Sequence, residues 1–396
     1  MSSMKRIFIG IGFTFLSFTL KAQIASVNGY LKDMQGIYFF ENPVTTSPGN
    51  EISNISYNLL HNRLNFKLYP NSNLTVALEL RNRMFSGQLL KQIPGYATII
   101  STDNGLIDLS WNWIEKDNYF INTAIDRAYI DYTLGNWQIR AGRQRINWGI
   151  NFVWNPNDIF NVFAYMDFDY EERPGSDAIL VTWYPTMSSS VDVAYKAANS
   201  IVNSAMAVKY RFNKYDYDFQ LLAGQAGYDY VLGGGWSGNI SDFGFRGEAS
   251  YFRPMNNYQI QSDEGVSASV SLDRSFENSL YIHISFLFNS LGTIENGESF
   301  SLIDPTMQLS AKKLSIGKYE WFGQVSYPIG ALLNLSGAAM INPVDWSMFV
   351  GPSVSVSLQN NLELFLTSQL MLGESGTEYA ALGNLYALFG RLRWSF

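Results

Sequence analysis

The sequence predicts an all-β chain: a transmembrane antiparallel up-and-down β-barrel of about 18 strands, or 16 if one weak pair is loop. Three observations predict it. Apolar and polar residues alternate with a period of two along most of the chain. The connections between these segments alternate between short and long. No apolar run after the first 22 residues is long enough for a membrane helix, which needs roughly 20.

The first 22 residues read as a signal peptide. Lys5 and Arg6 make a positive start, Ile7 to Leu20 an apolar core, and Ala22 supplies the small residue before the cut. The remaining 23–396 is expected to be one barrel, since no linker, composition shift or charge block divides it. Cleavage removes Lys5, Arg6 and Lys21 from the 27 basic residues and none of the 34 acidic ones, leaving a net charge of −10. That balance excludes nucleic-acid binding, which needs a basic footprint. The chain has no Cys and only two His, so disulfides, thiolate metal sites and a lipid-anchored cysteine are excluded. No metal or cofactor is expected. An exported chain with no membrane helix and 15% aromatic residues fits one large barrel, because in lipid only helices and closed barrels satisfy the backbone.

The strands carry the period directly. Leu74, Val76, Leu78 and Leu80 alternate with Thr75, Glu79 and Arg81. Val266, Ala268, Val270 and Leu272 alternate with Ser267, Ser269, Ser271 and Asp273. Ile282, Ile284, Phe286 and Phe288 alternate with Tyr281, His283, Ser285 and Asn289. Short turns are expected at 70–73, 134–136, 185–187, 213–215, 241–242, 277–279, 328–330 and 360–361. Longer connections are expected at 41–52, 86–118, 148–175, 198–203, 226–230, 253–264, 289–312, 342–346 and 372–383. This asymmetry suits tight periplasmic turns and long outer loops. The weakest pair of strands lies around Tyr228–Ile240. Aromatic residues mark the short-turn ends (Tyr69, Trp137, Trp183, Tyr184, Phe212, Tyr327, Phe396), as rings at headgroup level do.

The last strand has Tyr386, Leu388, Leu392, Trp394 and Phe396 on one face and Arg391, Arg393 and Ser395 on the other. It resembles the closing strand of bacterial outer-membrane barrels. That likeness implies that Phe396 is part of the signal read by the barrel-insertion machinery.

If the apolar face meets lipid, the opposite face lines the lumen. On the strands that can be phased it carries Arg63, Lys67, Glu79, Arg81, Arg83, Arg127, Asp131, Arg140, Lys209, Arg211, Arg246, Glu248, Lys318, Glu320, Glu363, Arg391 and Arg393. Such charges at mid-strand would cost about 2–4 kcal/mol each for Arg or Lys facing lipid. An 18-stranded barrel is wide enough for an aqueous channel unless loops fill it. Strict alternation would put Arg143 on the lipid side, so a bulge near Gly142 is expected to turn it inward. Asp126-Arg127 raises the same conflict on the preceding strand and suggests a matched irregularity.

The most unusual text is Gly142-Arg143-Gln144, then Asn147-Trp148-Gly149, then Asn155-Pro156-Asn157-Asp158-Ile159-Phe160. These elements resemble those of porin-like outer-membrane barrels related to the alginate-export and phosphate-selective porins, a group with largely uncharacterised members. The resemblance implies a pore-type fold more than a particular cargo, and the lumen is more mixed in sign than alginate export implies. The segment 148–175 holds Asp158, Asp167, Asp169, Glu171 and Glu172 against a single Arg173, with eight aromatic residues. A loop this long and this aromatic is expected to fold back into the barrel. Its carboxylates would then face Arg81, Arg83, Arg140 and Arg143 and form a constriction with opposed charges. Their spacing lacks the glycine pattern of a calcium loop.

Three functions remain. A channel in the cell outer membrane for passive or facilitated passage of small polar solutes leads. A structural or partner-docking barrel without an open pore is second. A barrel hydrolase is a distant third, since only His61 and His283 are available and no Gly-x-Ser-x-Gly elbow is present. The chain is therefore not expected to be an enzyme. Its expected partners are outer-membrane lipid, the insertion machinery and a small polar solute, with a surface lipoprotein or a homotrimer as further associations.

Overall fold

The computed structural model describes residues 24–46, 50–93, 95–162, 165, 169, 173, 175–255, 263–293 and 309–396. The expected signal peptide lies outside the described residues, as do Asp167, Glu171 and Glu172.

Alternating segments long enough to cross a bilayer pair with their sequence neighbours and form one sheet. Its strands are β1 (Ala25–Thr46), β2 (Asn50–Asn71), β3 (Leu74–Gly87), β4 (Ser110–Lys116), β5 (Tyr119–Leu134), β6 (Trp137–Gln144) and β7 (Ser176–Thr186). There follow β8 (Ser189–Lys196), β9 (Ala205–Lys214), β10 (Tyr217–Ala226), β11 (Asp229–Ile240), β12 (Phe243–Pro254) and β13 (Gly265–Ser275). The last are β14 (Tyr281–Asn289), β15 (Tyr319–Ile329), β16 (Leu333–Ile341), β17 (Met348–Gln359), β18 (Leu362–Leu372) and β19 (Leu385–Ser395). The ladders between these strands are antiparallel, and β1 pairs with β19 from Tyr30↔Ser395 to Phe40↔Leu385, which closes the barrel. Gly29 and Phe396 exchange both backbone hydrogen bonds at 3.0 Å below that ladder.

Eighteen strands form the wall. The extra one, β4, pairs only with the outer half of β5, where β6 has already left the wall. The 16-strand alternative is therefore discarded: β11 pairs with both neighbours along its length. The expected loop at 226–230 is a tight turn at Gly227 and Tyr228, with Gly227 at φ +57°. The connection 86–118 also differs. It folds into two short helices, α1 (Leu89–Gln92) and α2 (Tyr96–Ser101), and then β4.

The outer surface is apolar where the alternation says so. On β14, Ile282, Ile284 and Phe286 are exposed while His283, Ser285 and Leu287 are buried. A closed barrel with a greasy exterior is a membrane barrel, since such a face in water would aggregate. Rings crowd the short-turn ends. Tyr69, Trp137, Trp183, Tyr184, Tyr327 and Phe396 are all exposed, and Trp137 stacks on Trp183 at 5.8 Å. The inside is not empty. Aromatic and aliphatic clusters join the wall to the segment between β6 and β7. A third joins Met34, Leu59, Phe85 and Phe120 to α2.

Candidate functional site

Two connections turn into the lumen. The first spans 145–175, three residues earlier than the sequence suggests, because β6 ends at Gln144. Its backbone would be costly to bury without partners, and one carboxylate supplies several. Glu248, fully buried on β12, accepts N–H bonds from Ile150 (3.1 Å), Asn151 (2.9 Å) and Asn157 (3.1 Å). The side chain of Asn151 bonds Ser269 and accepts from Ser271 at 2.8 Å. Asn157 donates to the Gly234 carbonyl at 3.0 Å and accepts from Ser250 at 2.8 Å. Gln220 donates to the Trp148 carbonyl at 2.7 Å. The loop is thus stitched to β10–β13.

The motif residues serve this stitching. Gln144 donates to the carbonyls of Arg140 (3.0 Å) and Ala178 (2.9 Å). Asn147 is exposed and accepts the Gly149 N–H at 3.3 Å. Trp148 is buried edge-on against Phe160, their centroids 4.8 Å apart, and Lys209 lies 5.0 Å from its ring. A Cβ at Gly149 would fall 2.2 Å from Asn155 Oδ1, so only glycine fits there. Asn155 and Pro156 are buried beneath the turn that bonds Asp158 N–H to the Asn155 carbonyl at 3.1 Å.

The second inward connection is 87–118. Tyr96 and Ala97 of α2 pack on Phe85 and Phe120. Its return segment is clamped by Arg143. Arg143 donates to Asp177 through Nε and one terminal nitrogen (both 2.8 Å), to the Ile107 carbonyl at 2.7 Å, and to Asp103. Asp103 also accepts the N–H groups of Gly105 and Leu109, both at 2.9 Å.

A cavity of about 1030 Å³ lies between the two loops and the wall. Its charged lining is Arg81, Arg83, Arg143, Lys196 and Lys312 against Asp103, Asp126, Asp169 and Asp229. Tyr57, Phe85, Tyr96 and Ile100 supply an apolar side. Much of the charge is paired: Arg81 with Asp126 at 3.2 Å, Lys312 with Asp229 at 2.8 Å, and Asp169 with Lys32 at 2.7 Å.

The cavity gathers some of the residues expected at a constriction and leaves others elsewhere. Of the described loop carboxylates, Asp169 lines the same cavity as Arg81, Arg83 and Arg143, whereas Asp158 and Arg140 do not line it. Asp169 bonds Lys32 of β1 at 2.7 Å and stands 3.7 Å from Arg391 of β19, where the barrel closes. Asp158 is buried inside its own loop, near Arg145 and Arg173. Burial pushes its carboxyl up to about 7, against the pull of Arg145 and the N–H groups of Trp148 and Asn161. Arg140 pairs with Asp131 at 2.5 Å, and Gln138 bonds the same carboxylate. Neither Arg140 nor Asp131 lines the cavity. Arg127 donates to the carbonyls of Asp126 (2.7 Å) and Arg173 (2.8 Å). Arg391 also reaches Glu363 at 3.2 Å, and Arg393 lies over the Tyr30 ring at 4.4 Å.

Of the two expected irregularities, the one at Asp126-Arg127 is present and the bulge at Gly142 is not. Asp126 is skipped in the β3–β5 register, between Glu79↔Arg127 and Leu80↔Ile125, which makes it a bulge residue. It turns inward and pairs with Arg63 at 2.5 Å. Gly142 takes φ +116°, but the β6–β7 register runs unbroken through Gln144. The adjustment at Arg143 is thus a glycine conformation without an inserted residue. Sequence reasoning missed Lys32, Asp103 and Lys312. Glu248 is expected on the lumen face and lies there, but alternation alone carries no sign that it anchors a loop.

No protein-family model matches the chain, and no curated protein matches it. Solved structures do. The chain is similar to OccK9 (OpdG) of Pseudomonas aeruginosa, with a TM-score of 0.59 at 10% identity over 94% of this chain and 98% of that one. It is similar to OccAB2 of Acinetobacter baumannii, with a TM-score of 0.57 at 9% identity over 94% and 98%. It is also similar to the outer membrane protein OprD of Pseudomonas aeruginosa, with a TM-score of 0.54 at 8% identity over 94% and 93%. At such identity the likeness is one of fold, and it extends over nearly the whole chain.

Proposed function

We propose that this barrel is an outer-membrane channel for passive or facilitated passage of small polar solutes. The observation that carries the reading is the cavity of about 1030 Å³ inside the wall, lined by charges of both signs and narrowed by two anchored loops. A sealed structural barrel has no use for charged walls, since apolar packing would fill the lumen with less desolvation. The porin-like resemblance of segment 142–160 and the fold shared with OprD support the same reading. Arg81, Arg83 and Arg143 bias the cavity toward anionic groups, and Asp126 and Asp169 shape the opposing field. Residues 1–22 act as the signal peptide and Phe396 as part of the insertion signal.

The histidines fit a lining role better than a catalytic one. His283 packs between Phe152 (5.5 Å) and Phe322 (5.3 Å), and His61 meets Tyr30 edge-on at 5.2 Å. Among the described residues no serine or carboxylate hydrogen-bonds either ring. The partner-docking reading draws on one observation: loop 145–175 is so well anchored that it could seal the lumen. Single-channel recording of the purified protein in a planar bilayer decides. Steady openings with measurable ion selectivity are expected; a silent barrel that still shows the gel shift of a folded one would overturn the channel.

A further inference from the structure

The outward positions of this barrel should be apolar, and on β13 and β14 they are. Strands β1 to β5 break the rule. Asp33 and Gln35 share the outward face of β1 with Leu31 and Phe39, both exposed. Asn58 and Asn62 flank exposed Leu60 on β2, and Asn82 lies between exposed Leu78 and Met84 on β3. Their lumenal neighbours are Lys32, His61, Arg81 and Arg83, so the phase is unambiguous. Depth is fixed by the ladder: Asp33 pairs with Leu392, two residues above Trp394 at the short-turn rim.

These groups form a seam. Asn58 donates to Asp33 at 2.7 Å and Gln35 donates to it at 3.3 Å. Further along, Trp113 donates to Thr123 (2.9 Å), Thr123 to Asn82 (2.8 Å), Asn82 to Asn62 (3.2 Å) and Asn62 to the Tyr30 carbonyl (3.1 Å). No cation pairs with Asp33 among the described residues. A carboxylate and four amides facing hydrocarbon are expensive, and polar groups at membrane depth ordinarily face protein or water.

We infer that the outward face of β1–β5 is an interface that takes a second copy of this chain within the membrane. The occupant must satisfy its own backbone in lipid, which another barrel wall does. An amide is both donor and acceptor, so a face carrying Gln35, Asn58, Asn62 and Asn82 complements itself. Asp33 keeps acceptor sites that spare amide hydrogens of a neighbouring copy can fill. Leu31, Leu60 and Met84 around the seam provide the close apolar packing that association in lipid requires. Identical subunits commonly associate through one self-complementary patch.

The natural chain has no cysteine, so single thiols report cleanly. Asp33→Cys, Asn58→Cys, Asn62→Cys and Asn82→Cys would each be treated in intact outer membranes with a homobifunctional thiol reagent. Ile284→Cys on β14 is the control. The expected result is a band of twice the mass from at least one seam position and none from the control. The double variant Asn62→Leu/Asn82→Leu should keep the heat-dependent gel shift of a folded barrel and lower the mass seen by light scattering in mild detergent to one copy. A monomeric wild type with no crosslink at any seam position would overturn the interface, as would capture of a different protein there. Neither readout depends on conduction, so the outcome stands apart from the channel reading.

Discussion

Two buried carboxyl groups do different work because their partners differ. Glu248 receives three backbone N–H bonds and holds the inward loop. Replacing it with Ala leaves three buried donors unsatisfied, at about 1–3 kcal/mol each. We expect Glu248→Ala to lower the temperature at which the gel shift is lost, and to add current noise as the loop loosens. Glu248→Gln keeps an acceptor and should lie between. Asp158 is held near 7 by burial inside its loop. Because its folded value is raised, the native chain holds this proton where the unfolded chain has released it. Stability from this group is therefore full below about 4, falls as pH rises from there to about 7, and is flat above. Asp158→Asn should remove that slope and protect the loop at pH 8. Hydrogen exchange of a peptide covering 150–162 at pH 5 and pH 8 would show it; an equal slope in the variant would refute the assignment.

At the scale of elements, the lumen is shaped by loops that are tied rather than free. Loop 145–175 leans on β10–β13, and loop 87–118 is clamped through Arg143 to Asp103, Asp177 and the Ile107 carbonyl. Removing Arg143 leaves two carboxylates facing each other and frees the segment 103–109. Arg143→Ala should therefore raise exchange in that segment and increase conductance, and Asp103→Ala should do the same. A solute-facing charge predicts instead that the two substitutions move ion selectivity in opposite directions. Comparing the pair in one bilayer experiment separates clamp from selectivity charge.

For the whole molecule, closure depends on the two chain ends of the sheet. Phe396 exchanges two backbone hydrogen bonds with Gly29, and its ring packs with Trp394 at 5.1 Å. Deleting Phe396 removes the clasp and the terminal aromatic together. We expect less assembled barrel in the membrane and little change in conductance for the molecules that do assemble. Quantifying the heat-modifiable band measures the first and single-channel recording the second. Full assembly without Phe396 would remove it from the insertion signal.

The sequence by itself determined the barrel. Period-two alternation decides which side chains meet lipid, as Ile282, Ile284 and Phe286 show, and turn residues decide where strands reverse. Both signals are local, so they survive in a single sequence. The strand count near 18, the greasy exterior and the inward return of an aromatic loop were legible for that reason. Only the tertiary structure decided the charge partners. Asp169 meets Lys32, 137 positions away, and Arg143 meets Asp103 and Asp177 rather than the loop acids. Such pairings depend on where a bulge at Asp126 and a glycine at 142 rotate the strand, and on how far each loop reaches across the lumen. The polar seam lay in plain view as Asp33, Asn58, Asn62 and Asn82. It became a surface only when the register set those residues side by side on the lipid face.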